Sequence, residues 1–223
     1  MSVTELSTAA QNYLKVIWGL QEWSDEPITP STIAAKTGLK LSTISGAMSK
    51  LADQGLIEHA PYGAVTLTER GRSYALTMVR RHRLIETFLV EVLGYGWDQV
   101  HDEAENLEHA VSDYMVDRID EHLGHPTRDP HGDPIPAASG AVEVPDAMIL
   151  ADAPIETELV VERIADDDPD LLRFFAQQGL VVGAQLVVVP GPPYSGSFQV
   201  KVAKGEDFAL GHIAGESVWV SAR

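Results

Sequence analysis

TPSTIAAKTGLKLSTISGAMSKLADQGLIEHAPYGAVTL, residues 29–67, carries the pattern from which the fold is read. Thr29 followed by Pro30 is a capping residue with proline at the first helical position; it opens a short helix bearing Ile33, Ala34 and Ala35 that stops at Gly38. Ser42 then reads as the cap of a second helix with the apolar stripe Ile44, Met48 and Leu51, and Gly55 supplies a left-handed end. The outward face of this helix is Ser42, Thr43, Ser45, Gly46, Ser49 and Lys50. Two short helices around a glycine turn suit a helix-turn-helix, because small hydroxyl side chains let the second helix approach base edges and phosphates closely. Leu56-Ile57 reads as a strand, Pro61-Tyr62-Gly63 as a turn and Val65-Thr66-Leu67 as the return strand, the hairpin of a winged helix. A helical bundle with an incidental hairpin is the alternative.

Upstream, Tyr13, Ile17 and Leu20 at helical spacing, flanked by Leu14 and Trp18, predict an amphipathic helix over 6–23. Downstream, a long helix capped by Thr68 runs to Leu93 and Gly94. A second long helix starts between Asp98 and His101 and runs to Leu123 and Gly124 on the stripe Val100, Ala104, Leu107, Val111 and Met115. Two such helices cannot enclose their own apolar faces, which points to a homodimer interface. Residues 127–152, rich in Pro, Gly and Ala, read as an irregular linker. Strands over 158–164, 185–189, 197–202 and 217–221 with a helix over 169–178 make a small β-barrel. The expected fold is mainly α with a small β part: a winged helix-turn-helix over 1–75, a helical domain over 76–140, a linker over 141–153 and the barrel over 154–223.

A chain of 223 residues with 44% apolar content buries enough surface to fold, which excludes disorder. It has no cysteine, so thiolate metal sites, disulfides and cysteine nucleophiles are excluded, and any metal must use oxygen and imidazole. The longest apolar run, near 180–189, is broken by Gly183 and Gln185, and the first ten residues carry no basic region, so a soluble cytoplasmic protein is expected. The net charge is -17, yet residues 1–75 hold 6 basic against 7 acidic side chains, so the acid lies downstream of the helix-turn-helix.

The chemistry gathers in the middle third. His101, Glu105, Glu108 and His109 fall within roughly 100° of arc on a continuous helix, beside the apolar stripe. Glu105-x-x-Glu108-His109 can converge on one ion from one side only, so another segment must close the coordination sphere. His82 and Glu86 share one face of the preceding helix with Val79, Leu89 and Leu93, where buried polar groups need partners. Taken singly, such glutamates are mostly solvated and such histidines mostly structural; two sets on adjacent helices point to a divalent-metal site.

Tyr13-Leu14-Lys15-Val16-Ile17, Arg81-His82-Arg83-Leu84-Ile85-Glu86 and His101-Asp102-Glu103-Ala104-Glu105-Asn106-Leu107-Glu108-His109 together resemble the metal-dependent repressors of the diphtheria-toxin-repressor family, in particular their manganese-responsive branch. The resemblance is specific over 5–135 and looser in the last domain, which is similar to the family's Src-homology-like barrel. It implies a primary, activating site of Glu105, Glu108 and His109 with Asn12 from the first helix. It also implies an ancillary site of His82, Glu86 and His101, completed by Asp129 and His131 from the loop and by Asp166 or Asp168 from the last domain. Iron-responsive members use Cys and Met where this chain has Glu105 and Asn12, so harder oxygen donors make Mn(II) the expected cofactor and Fe(II) the second candidate.

The implied function is a Mn(II)-activated repressor that binds palindromic operators as a homodimer and controls metal uptake genes, with Lys36, Lys40, Ser42, Thr43, Ser45, Ser49 and Lys50 on double-stranded DNA and Arg70 and Arg72 near phosphates. It implies no enzyme, no membrane and no small organic substrate. An iron-dependent repressor of the same family is the alternative, and a manganese-dependent hydrolase is the rival from another class. Against the latter, Gly191-Pro192-Pro193-Tyr194-Ser195-Gly196 lacks phosphate-loop spacing and Ser195 has no identifiable base. A third reading keeps the winged helix and places a small ligand in the last domain.

Overall fold

The computed structural model describes residues 3–24, 26–59, 64–203 and 205–223; the turn expected at Pro61-Tyr62-Gly63 lies outside them. Two compact units emerge, one of residues 1–82 with 136–141 and one of 83–135 with 142–223.

In the first unit, α1 (Thr8–Glu22) is capped by Ser7, whose hydroxyl accepts from the Ala10 N–H, and it buries Gln11, Leu14, Ile17 and Trp18. The Thr29 hydroxyl accepts from the Thr32 N–H and the Thr32 hydroxyl accepts in return from the Thr29 N–H, a reciprocal cap that starts α2 (Pro30–Thr37). Gly38 ends it at φ 68, a left-handed conformation that suits glycine. Then α3 (Leu41–Asp53) buries Ile44, Met48 and Leu51 as expected. Its start differs from the expectation: the Lys40 carbonyl accepts the first helical bond from Ile44, so Lys40 is the N-cap and Ser42 lies inside the first turn. Antiparallel β1 (Ile57–His59) and β2 (Val65–Leu67) form the hairpin, with Ile57 opposite Leu67. The Thr68 hydroxyl donates to the Gly55 carbonyl and accepts from the Gly71 N–H, opening α4 (Glu69–Glu91). Gly71 is required there, because a Cβ would stand 1.8 Å from the Leu56 carbonyl oxygen.

Within the second unit, the later half of α4 packs Leu84, Ile85 and Leu89 against Val100, Ala104, Val111, Val116, Ile119 and Ile135. The single second helix expected from the apolar period is instead two, α5 (Val100–Leu107) and α6 (Asp113–His122). Ser112 decides the break: its hydroxyl accepts from the Met115 N–H, a local cap that starts a new helix although the apolar spacing continues through it. Met115, expected on the stripe, is 47% exposed.

Two further expectations are corrected. The segment expected to be an irregular linker begins with a buried loop, in which Asp129 and residues 131–136 are all buried. The barrel is an open six-stranded antiparallel sheet: β3 (Met148–Ile149), β4 (Glu158–Ile164), β5 (Gln185–Pro190), β6 (Ser197–Val202), β7 (Phe208–Gly211) and β8 (Val218–Ala222) lie in the order β3-β8-β4-β5-β6-β7. The edge strands β3 and β7 are short and do not pair with each other, so the sheet does not close. Leu172 and Phe175 of α7 (Pro169–Gln177) join the core on this sheet, and a short α8 (His212–Gly215) precedes β8. No helix among the described residues is long and apolar enough to cross a membrane.

Candidate metal centres

Glu86, fully buried on α4, is the hinge of the chemistry in the second unit. Its Oε1 lies 3.6 Å from His101 Nδ1 on α5, and that same Nδ1 is 2.8 Å from Oδ2 of Asp166, just after β4. Burial works against charge on His101, but Asp166 and Glu86 outweigh it and hold the imidazole protonated, its pKa raised from 6.5 to about 11. A metal ion held by His101 would take the place of that proton, since only the neutral imidazole ligates. Asp168, the alternative to Asp166, serves the backbone instead, since its Oδ1 accepts from the Asp170 and Leu171 N–H groups and caps α7.

The loop after α6 brings Asp129 and His131 to the other side of Glu86. His131 Nδ1 is 3.9 Å from Glu86 Oε2, and Nε2 donates to the Trp97 carbonyl at 2.8 Å. Asp129 Oδ1 accepts from the backbone N–H groups of His131 and Asp133, which shapes the turn. Gly132 permits it, with φ 91 and a would-be Cβ 2.0 Å from the Glu162 carbonyl oxygen. The Ile164 N–H donates to the His131 carbonyl, and Arg128 donates to both the carbonyl and the carboxylate of Glu162, so the loop is fastened to β4. Burial, reinforced by the charges of Asp133 and Glu86, pushes the Asp129 carboxyl well above its ordinary value.

Glu105 and Glu108 lie on the last turn and C-cap of α5, with His109 just past its end. Glu108 is fully buried, and His109 Nε2 lies 3.4 Å from its Oε1. Glu105 is partly exposed, 4.0 Å from His101 Nε2. In the first unit, Asn12 Oδ1 on α1 is buried with no hydrogen-bond partner among the described residues, and Lys15 Nζ stands 3.4 Å from Nδ1 of buried His82, one turn before Glu86 on α4. Lys36, Lys40, Ser42, Thr43, Ser45, Ser49 and Lys50 are all exposed, and Ser49 bonds back to the Ser45 carbonyl. Arg72 lies over the Trp18 ring at 4.8 Å and Arg70 over Tyr74 at 5.7 Å.

These donors fit a divalent cation. They are carboxylate and amide oxygens and imidazole nitrogens, without sulfur, and two of them, Asn12 Oδ1 and His131 Nδ1, are buried acceptors left unmet, each at a cost of about 1–3 kcal/mol. Sequence reasoning missed Trp97, Arg83, Asp133 and Arg163, which orient the loop: Asp133 Oδ1 is 2.7 Å from Arg163 Nε and 3.2 Å from Arg83 Nη2. The acid repeated on both sides of His131-Gly132 is the signal that could have drawn attention to Asp133.

Comparison with known proteins supplies the context. Residues 5–65 match the family described as the iron dependent repressor, N-terminal DNA binding domain. Residues 68–137 match the iron dependent repressor, metal binding and dimerisation domain, and residues 148–222 the FeoA domain. The iron-dependent repressor IdeR of Mycobacterium leprae is 30% identical over 232 residues, covering 98% of this chain and 99% of that protein. Its counterpart in Mycobacterium bovis is 31% identical over 237 residues, with the same coverage of 98% and 99%. Among solved structures, a manganese-dependent transcriptional repressor in complex with manganese aligns with a TM-score of 0.91 at 50% identity, over 96% of this chain and all of that one. The manganese regulator SloR aligns at 0.80 and 30% identity, over 96% of this chain and 98% of its own.

Proposed function

Because the chain belongs to the iron-dependent repressor family, and is therefore a metal-dependent transcriptional repressor and not an enzyme, we propose that Mn(II) is its activating ion and that it binds palindromic operators of metal uptake genes. Its partners are DNA and a second copy of itself, through the DNA-binding and dimerisation domains. The primary site is assigned to Glu105, Glu108, His109 and Asn12, and the ancillary site to His82, Glu86 and His101, completed by Asp129 and His131 from the loop and by Asp166, Asp168 being engaged as the cap of α7.

The observation that carries the reading is the donor set. Fully buried Glu108 beside His109, and an unmet amide oxygen on Asn12, offer hard oxygen and one imidazole and no sulfur. Such a set suits Mn(II) better than a sulfur-containing one. Fe(II) activation is the second reading, favoured by the names of the mycobacterial relatives.

A bound divalent cation supplies positive charge to groups that otherwise carry like charge. Glu105, Glu108 and His109 would hold it from the end of α5, while Asn12 belongs to the helix-turn-helix unit. Ligation by both would couple ion occupancy to the placement of α3, whose exposed Ser42, Thr43, Ser45 and Ser49 face base edges and whose flanking Lys36, Lys40 and Lys50 face phosphates. Duplex DNA selected from a random pool, titrated with Mn(II), Fe(II), Co(II) and Zn(II) at equal free concentrations, tests this. Mn(II) is expected to tighten binding by roughly 5- to 150-fold over chelator, and Glu108→Gln to abolish the difference. Equal affinity with chelator and with Mn(II) overturns it.

A further inference from the structure

We propose that Lys15 competes with the metal ion for His82, so that an ammonium carried by α1 sets how much free Mn(II) is needed to load the ancillary site. The inference deepens the reading above and rests on its assignment of His82 as a ligand.

Lys15 Nζ lies 3.4 Å from Nδ1 of buried His82, and Lys15 itself is partly exposed. The roles in this contact follow from chemistry. An ammonium has only protons to give, so Nδ1 accepts, and a neutral imidazole that accepts at Nδ1 carries its one proton on Nε2. His82 then has no lone pair to offer a metal, since Nε2 is protonated and Nδ1 is taken. An ion that enters through Nδ1 takes the place of Lys15. An ion that enters through Nε2 displaces the proton there, and the neutral ring then carries its proton on Nδ1. That N–H faces an ammonium, donor against donor, and the contact breaks. By either route His82 serves the ion or the lysine, never both.

Charge acts in the same direction. An ammonium beside His82 opposes a divalent cation on that ring, and the flexible stem of a partly exposed lysine lets the ammonium turn out to water when the ion wins. Helix α1 therefore carries two groups of opposite effect, one turn apart on one side. Asn12 brings a buried oxygen with no hydrogen-bond partner among the described residues, and Lys15 brings a tethered cation. Displacing Lys15 costs the ion one hydrogen bond, which shifts the loading threshold and does not block the site.

The test uses the full chain, metal-free and titrated with Mn(II), as wild type, Lys15→Met, Lys15→Gln and Lys15→Arg. Lys15→Met keeps the stem and removes the charge, Lys15→Gln answers the question if Lys15→Met does not fold, and Lys15→Arg restores a charged donor. In the metal-free wild type, NMR of the nitrogen-labelled imidazoles is expected to show His82 as the Nε2–H tautomer with a hydrogen-bonded Nδ1, a state the neutral variants lose. One step of the Mn(II) isotherm, followed by electron paramagnetic resonance, is expected to tighten roughly 3- to 10-fold in the neutral variants and to stay near wild type in Lys15→Arg. Half-activation of DNA binding should move to lower free Mn(II) in step. Unchanged or weakened Mn(II) affinity in the neutral variants, a Lys15→Arg chain as tight as they are, or an Nδ1–H tautomer in the metal-free wild type overturns the competition and leaves the ancillary reading intact. A wild type that takes up no Mn(II) overturns both.

Discussion

The imidazole of His131 stacks on the indole of Trp97, ring centroids 5.7 Å apart and planes 22° from parallel, and its Nε2–H is held by the carbonyl oxygen of that same residue. One residue therefore fixes the ring plane with its side chain and the tautomer with its backbone. Trp97→Phe, which keeps a ring and the backbone carbonyl, should cost less than about 1 kcal/mol in urea denaturation. Trp97→Ala removes the stack and leaves a void beside a half-buried position, at about 2 kcal/mol.

Ser112 gives a test of sign. If 100–123 were one helix, Ser112→Ala would stabilise it, since alanine is the better helix former. With Ser112 as the cap of α6, the same change should lower stability by about 1 kcal/mol, and Ser112→Asp should restore most of it, read from thermal melts.

Gly132 and Gly38 both have positive φ, but only Gly132 is pressed against backbone. Gly38→Ala, with open space around its Cβ, should cost about 1 kcal/mol. Gly132→Ala must displace the loop from β4 and should cost about 3 kcal/mol or more, with a loss of Mn(II) uptake that Gly38→Ala does not share.

Partial burial pushes the Glu162 carboxyl up, but the Ser221 hydroxyl and the Arg128 guanidinium outweigh it and hold the group below its ordinary 4.5. A carboxyl depressed in the folded state stabilises the fold above its unfolded pKa and loses that contribution as pH falls through the folded value. Urea midpoints should therefore decline below about pH 4.5, and Glu162→Gln should remove this component of the slope while leaving the other carboxyls' contribution.

Lys50 is exposed in the last turn of α3. Lys50→Ala should weaken Mn(II)-dependent DNA binding alike across sequences, reduce the slope of log affinity against log salt by about one, and leave Mn(II) stoichiometry unchanged.

Much of this is legible in the sequence. Thr29-Pro30, Gly38 and Gly55 mark α2 and α3 through interactions spanning at most a few residues, and Ile44, Met48 and Leu51 keep the helical period through to burial. The acids and imidazoles of the candidate metal centres stand out by type and spacing. The break at Ser112 escapes such a reading because an apolar period continuing to Met115 outweighs one capping residue, and Ser42 misleads because capping chemistry at one position does not exclude a start two residues earlier.

By itself the sequence determined which local elements form and which donor atoms are on offer, because helix caps, periodicity and side-chain chemistry are properties of neighbours along the chain. Only the tertiary structure decided that Asp166 and not Asp168 meets His101 across 65 residues of chain, that the proline-rich stretch is packed against β4, that the sheet stays open, and that Glu86 turns its two oxygens to two different histidines. Those outcomes depend on which distant backbone amides and charges compete for each buried carboxylate, and that competition leaves no period in the sequence.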